Sequence, residues 1–251
     1  MEKVRVIARL DVKGSHVIKG IHLEGLRKIG DPVLLAKKYY QEGADEILFM
    51  DAVASLYERN NLFHIIEKAC EQVFVPITIG GGIRTLNDIN LALQSGADKI
   101  ALNTAAVKNP ALVVEASRTF GSQCIIGSIE AKRKGNSWEA YIDTGREETG
   151  LDAIQWARQL QELGCGEIMI TSVDQDGTKK GFDVALVKAI NEAITLPLIA
   201  CSGAGTPAHF AALAKVTSVG AMAAASIFHY NLATLQQVKD ELTLCGIEVR
   251  K

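Results

Sequence analysis

The sequence predicts an α/β fold, a single closed (βα)8 barrel built from two similar half-barrels. Three observations lead there. Short apolar, β-branched runs alternate with amphipathic helical stretches along the chain. Eight such runs give roughly one βα unit per 31 residues, the number that closes a barrel. Motifs in the first half recur in the second at a nearly constant offset. A barrel of this kind uses roughly 250 residues as one domain, so the expected domain is 1–251. No Pro- or Ser-rich linker divides it.

The first expected strand is VRVIARLDV from Val4. The second is DEILFMDAV from Asp45, the third VPITIGGG from Val75 and the fourth ADKIALNT from Ala97. CIIGSIEAK from Cys124, GEIMITSVDQDG from Gly166, LPLIACSGAG from Leu196 and VGAMAAASIF from Val219 complete the eight. Helical patterns such as PVLLAKKYYQEG and LDAIQWARQLQELG lie between them. The HLEGLRKIGDP stretch, from His22 to Pro32, reads as a βα loop long enough to act as a lid.

Within the repeat, GADEILFMD resembles GCGEIMITS and VPITIGGGI resembles LPLIACSGA. Glu46 and Glu167, Pro76 and Pro197, and Gly82 and Gly203 are each 121 positions apart. Asp11 and Glu130, each ending its strand, are 119 apart. Paired features should therefore face each other across the mouth of the barrel.

Composition excludes several classes of function. There are 27 Lys and Arg against 29 Asp and Glu, a net charge of −2. That balance argues against nucleic acid and against a polybasic membrane surface as partners. Cys70, Cys124, Cys165, Cys201 and Cys245 are odd in number and show no CxxC spacing, which fits a reducing compartment without a disulfide framework. The five histidines show no ligand spacing, so neither a metal nor any other cofactor is expected. Arg5, Arg9 and Asp11 fall where a signal peptide needs an apolar run, and the longest apolar stretch is about half a membrane span. A soluble, cytoplasmic protein is the expectation.

Strand side chains alternate in direction. If Asp11 and Glu130 face the mouth, Arg5, Ile7 and Arg9 share the inward face of the first strand. The same parity turns Glu46, Leu48 and Met50, Thr78, Gly80 and Gly82, and Lys99, Ala101 and Asn103 inward. In the second half it does so for Ser128, for Glu167, Met169 and Thr171, and for Ile199, Cys201 and Gly203. Arg5, Glu46, Lys99 and Glu167 then form a neutral ring at the bottom. The ring is either a salt-bridge plug or a gate for something small.

Catalytic groups of such barrels lie at the C-terminal ends of the strands. Asp11 and Glu130 meet there and can divide general-acid and general-base work, or can merely cap loops or pair with nearby lysines. Gly80, Gly81 and Gly82 follow the third strand, and Gly203 and Gly205 the seventh. Asn103 and Thr104 end the fourth strand, and Ala225 and Ser226 the eighth. Backbone N–H groups approach an anion closely at such loops. Two of them half a barrel apart suit a long ligand with a phosphate at each end, although glycines also serve tight turns. The DQDGT run, Asp174 to Thr178, is a ligand-binding loop or a simple Asx turn. Cys201 reads as interior packing.

Taken together, LDVKG, VIKG, FMDAVAS, GGGIR, DKIALNTAAV, FGSQ, TSVDQDGTKKGFD and ASIFH are highly specific. Through them nearly the whole chain resembles the cyclase subunit of imidazole glycerol phosphate synthase. The resemblance implies a partner, a class I glutaminase docked at the barrel base as part of a glutamine amidotransferase complex. It implies ammonia passing along the axis to a bisphosphorylated aminoimidazole-carboxamide precursor, with imidazole glycerol phosphate and a carboxamide ribotide as products of this histidine-pathway step. It makes Arg5, Glu46, Lys99 and Glu167 the ammonia gate and Asp98 a partner-facing residue. Asp11 becomes one catalytic acid. Lys19, Gly82, Asn103, Thr104, Asp176, Gly177, Gly203 and Ser226 become substrate- and phosphate-binding positions.

Three departures stand out. Glu130 replaces the family's second catalytic aspartate, and a displacement of roughly 1 Å can cost ~100-fold in rate. Arg9 replaces a small thiol below Asp11. A buried Arg must be paired, and parity makes both Asp11 and Glu130 its expected partners, so that both would be held ionised. Cys201 and Ser202 stand where the family has Ser and Gly. These changes also resemble a divergent branch linked to surface-polysaccharide biosynthesis, in which the barrel hands ammonia to a sugar amidotransferase. A related isomerase acting on an earlier bisphosphate shares the half-barrel repeat. The gate ring and the DQDGT run argue against that third reading.

Overall fold

The structure, a computed structural model, describes residues 3–52 and 62–250. The VAS part of the FMDAVAS motif, 53–55, lies outside the described residues.

The first half comprises β1 (Arg5–Lys13), β2 (His16–Ile21), β3 (Glu24–Gly30), α1 (Pro32–Gln41), β4 (Glu46–Asp51), α2 (Leu62–Cys70), β5 (Ile77–Gly80), α3 (Leu86–Gln94), β6 (Lys99–Leu102), α4 (Thr104–Lys108) and α5 (Pro110–Phe120). The second half comprises β7 (Ile125–Lys134), β8 (Ser137–Ile142), β9 (Glu147–Asp152), α6 (Ala153–Glu162), β10 (Glu167–Ser172), α7 (Val184–Ala193), β11 (Leu198–Cys201), α8 (Pro207–Ala214), β12 (Ala221–Ala224), α9 (Ser226–His229) and α10 (Leu235–Leu244). Strands β1, β4, β5, β6, β7, β10, β11 and β12 pair in parallel in that order, and β12 returns to β1. The barrel is therefore closed, and each of its strands corresponds to one of the eight sequence runs.

Two antiparallel ribbons stand on the mouth and were not anticipated. The ribbon β2–β3 follows β1, and β8–β9 follows β7. The stretch expected as a lid loop from His22 is thus mostly strand β3. Its side chains are largely exposed, so it lacks the apolar face by which a strand is recognised. Both ribbons begin at the 121-residue offset, at His16 and Ser137. The repeat continues into the helices. Asp31 caps α1 by accepting from the Val33 and Leu34 N–H groups, each at 2.9 Å. Asp152 caps α6 by accepting from Ile154 and Gln155, each at 3.0 Å.

Alternation along the strands divides the core. Outward residues such as Phe49, Ile79, Ile129 and Ile170 pack under the helices. Inward residues Ile7, Leu48, Ala101, Ile126, Met169, Ile199, Cys201, Ala221 and Ala223 form a separate apolar stack inside the barrel, with Met50 against it. The inward parity read from Asp11 and Glu130 holds, and Cys201 is an interior packing residue. Charged layers lie below and above this stack.

Candidate active site

At the bottom, the four expected residues close into a ring of alternating charge. Arg5 bonds to Glu46 and to Glu167 through its two terminal nitrogens. Lys99 Nζ lies 3.3 Å from Glu46 Oε1 and 3.1 Å from Glu167 Oε2. Arg5, Glu46 and Glu167 are buried, and Lys99 is half-buried. Each ion thus meets two of opposite sign, which offsets the cost of burial. A basin of about 420 Å³, lined by Lys3, Arg5, Lys99, Gln123, Glu167 and Arg250, lies beneath. Asp98 is exposed beside Lys99. Its Oδ2 accepts the Ile77 N–H at 2.8 Å, so it also fixes the entry of β5.

At the top, the strand ends and both ribbons build the mouth. Arg9 Nε donates to Asp11 Oδ1 at 2.8 Å, and its Nη1 donates to Thr171 Oγ1 at 3.1 Å. Lys19, on β2, donates to Asp11 Oδ2 at 3.4 Å and to both oxygens of Asp176 at 2.8 and 2.9 Å. Asp176 also accepts from the Leu23 N–H and from Ser202 Oγ, each at 3.2 Å. The DQDGT loop is therefore bound to the first ribbon, with Lys19 buried between the two aspartates. Gly177 sits so close to Gly20 that a Cβ there would lie 2.3 Å from its carbonyl oxygen.

Glu130 is held differently. Its Oε2 accepts the Gly145 N–H at 2.8 Å, from the tip of the second ribbon. Arg9 makes no hydrogen bond to it among the described residues, which corrects the expectation that Arg9 bonds both acids. The longer side chain of Glu130 is turned to the β8–β9 turn, whereas Asp11 lies two residues along β1 from Arg9. Burial alone would raise Asp11, but Arg9 and then Lys19 outweigh it and hold the carboxyl at about 2. Burial pushes Glu130 up to about 7, only partly opposed by Arg9 and the Gly145 bond. The two acids thus differ sharply in proton affinity, the pattern of groups with different roles.

The anion-binding candidates fall into two repeat-related loops on either side. Gly82, Asn103 and Thr104 line a cavity of about 400 Å³ with Arg84, Lys108 and Asp143. Asn103 Nδ2 donates to the Tyr141 carbonyl at 3.2 Å, and the Asp143 N–H donates to Thr104 Oγ1 at 3.2 Å. Across the mouth, Asp176, Gly177, Gly203 and Ser226 line a much tighter cavity of about 20 Å³ with Lys179 and Ser202. A third small cavity, lined by Arg9, Asp11, Lys19, Met50, Glu130 and Thr144, shares residues with both. The three form one groove across the barrel. The tight end has a local cause. Ser202 occupies a left-handed conformation, φ +83°, where its repeat partner is Gly81, φ +87°. Its hydroxyl is drawn onto Asp176.

Sequence reasoning missed the turn Asp143–Thr144–Gly145. All three residues have positive φ. Thr144 Oγ1 donates to the Ala52 carbonyl at 3.3 Å, so the turn ties the residue after β4, the start of α4 and the strand β7 together over the site. The Thr-Gly pair was its signal, but unrecognised strands around it hid that it turns back over the barrel. Among the described residues no group of three His, Cys, Asp or Glu side chains could hold a metal ion, and no helix is long and apolar enough to cross a membrane.

Comparison with known proteins agrees with this geometry. Residues 5–234 match the family described as histidine biosynthesis protein. A Legionella pneumophila protein named imidazole glycerol phosphate synthase subunit HisF is 55% identical over 206 residues, covering 82% of this chain and 97% of that protein. A protein of the same name from Myxococcus xanthus is 45% identical over 246 residues, covering 98% and 97%. The chain belongs to the histidine biosynthesis protein family, within its HisF-like group of synthase cyclase subunits.

Proposed function

We propose that this chain is the cyclase subunit of an imidazole glycerol phosphate synthase. It uses ammonia to convert a bisphosphorylated aminoimidazole-carboxamide ribonucleotide precursor to imidazole glycerol phosphate and a carboxamide ribotide. One observation carries the reading: two buried carboxylates of opposite protonation tendency stand midway along a groove that ends in two repeat-related loops. A ligand with a phosphate at each end would place its middle at Asp11 and Glu130.

The chemistry follows from the groups. Adding ammonia to an electrophilic carbon puts negative charge on that carbon's heteroatom and positive charge on the added nitrogen. A protonated Glu130 neutralises the first. Asp11, a carboxylate at neutral pH, favours the second. Backbone N–H groups at Gly82 and Gly203 and the hydroxyls of Thr104 and Ser226 serve the phosphates, with Arg84 and Lys108 adding charge at the wider end.

Ammonia would enter through the ring of Arg5, Glu46, Lys99 and Glu167 and rise through the apolar stack, which does not retain a small neutral molecule. Its source would be a glutaminase docked over the basin beneath. Phe74, Val216 and Leu244 are large apolar side chains left exposed on loops and helix ends of that base and suit such an interface. High identity to proteins named as this synthase subunit favours cyclisation over sugar amidation. The test needs no partner. The purified chain with the precursor and excess ammonium should form imidazole glycerol phosphate. A folded chain that binds the precursor without turning it over would overturn the reading.

A further inference from the structure

We infer that Arg9 is a positioning residue of the mouth: crossing the barrel interior from β1 to Thr171 on β10, it keeps Asp11 a standing carboxylate and leaves Glu130 to move the proton. The inference rests on the acid/base reading above and gives its two acids unequal work.

The geometry comes first. Arg9 is 6% exposed and lies between Ile7 of the apolar stack and Asp11 of the mouth. In the closed order β10, β11, β12, β1, its two anchors are three strands apart. The side chain therefore lies across the interior, beside Cys201 of β11, whose thiol is pushed up to about 11 by burial. A buried guanidinium must be compensated. Here the compensation is Asp11.

The groups facing Asp11 complete the case. They are Arg9 from β1, Lys19 from β2, Asp176 through Lys19 from the loop after β10, Glu130 from β7, Cys201 from β11 and His229 from α9. Burial pushes His229 down to about 4, so it is neutral at neutral pH. Arg9, Asp11, Lys19 and Asp176 form a run of alternating charge that sums to zero. Glu130 stands outside that hydrogen-bonded run, bonded to a neutral backbone N–H; Arg9 acts on it only through space, and burial, Asp11 and Asp176 oppose that pull. A carboxyl in that position holds a proton that Asp11 releases.

The opening of the interior agrees. Met50 and Ala101 belong to the apolar stack or its edge, and both also line the 400 Å³ cavity with Glu130. Arg9 is absent from that cavity and lines the two small ones beside it. A small amine rising through the barrel emerges beside Glu130. Glu130 then gives its proton to the heteroatom of the attacked carbon and takes one back from the added nitrogen. No proton is gained or lost overall, and Asp11 remains an anion throughout.

The experiment is a carbon-13 NMR titration of side-chain carboxyls in the purified, ligand-free chain. The Asp11 signal should stay flat from pH 4 to 9, while the Glu130 signal titrates near neutrality. In Arg9→Met the Asp11 midpoint should rise by about 1–3 pH units, the usual effect of losing an adjacent Arg. Arg9→Lys, which keeps the charge, should return most of that shift. An Asp11 midpoint unmoved in Arg9→Met would overturn the inference. So would a Glu130 signal flat through neutrality in the unaltered chain, a result that stands even if the Met variant does not fold. Because the titration needs no turnover, its failure is distinct from failure of the cyclase reading.

Discussion

At the scale of the residue, Glu130 concentrates the conflict between stability and chemistry. Its folded-state carboxyl sits at about 7, above its ordinary 4.5. A raised carboxyl favours folding fully below its unfolded value, and that advantage is lost as pH rises through 7. Above neutrality the chain therefore buries an unwelcome anion. Glu130→Gln keeps the shape and can still accept the Gly145 N–H. At pH 8–9 it should unfold later than the unaltered chain, by on the order of 1–3 kcal/mol, with the gap closing towards pH 4. Denaturant unfolding at the two pH values checks this. The same variant should lose about 10²–10⁴-fold in ammonium-driven turnover, the usual contribution of a proton-transfer group. The two acids were legible in the sequence because each ends a strand, 119 positions apart and close to the repeat offset. Their unequal environments were not. Those depend on whether Arg9 reaches Thr171 or Glu130, and on Gly145, which approaches through a turn 15 positions along the chain.

At the scale of the element, the repeat has energetic content that can be measured. Asp31 and Asp152 make matching caps on α1 and α6, each with a single oxygen, Oδ1, that accepts two backbone N–H groups. Asp31→Ala should cost ~1 kcal/mol, and Asp152→Ala somewhat more, because its second oxygen also accepts from the Ser137 hydroxyl of β8. The caps belong to opposite half-barrels, so the double variant should show nearly the sum. Thermal unfolding of the three variants tests it, and strong non-additivity would contradict independent halves. The barrel strands were readable because both of their faces are buried, which writes near-continuous apolar runs. Strands β3 and β9 escaped because most of their side chains are exposed or half-buried and carry charge. Their order comes from pairing with β2 and β8, a long-range feature that local pattern does not encode. The buried Tyr39–His229 hydrogen bond, 2.7 Å, ties α1 to α9 and was likewise invisible, since the partners are 190 positions apart.

At the scale of the whole molecule, the barrel stacks a charged ring, an apolar interior and a charged mouth along one axis. The ring is more sensitive to mutation at its buried cation, Arg5, than at half-buried Lys99. Arg5→Met would leave Glu46 and Glu167 buried with only half-buried Lys99 between them. A loss of about 3–5 kcal/mol is expected, as for removing one partner from a buried ion pair. Lys99→Met should cost less, because Lys99 is partly solvated and Arg5 still bridges both acids. Urea unfolding of the two variants ranks them. The ring followed from strand parity, and the two ends of the groove from the glycine loops at the repeat offset. The unequal size of the groove's two ends did not, because it turns on the left-handed Ser202 and its bond to Asp176.

The most direct test of the site as a whole is the pH dependence of ammonium-driven turnover, expressed per unit of free ammonia. With Glu130 as the proton-bearing group, the rate should be level below about pH 7 and decline above it, as the carboxyl empties. A rate level from pH 6 to 9, or one rising through that range, would contradict the role given to Glu130 and the chemistry built on it.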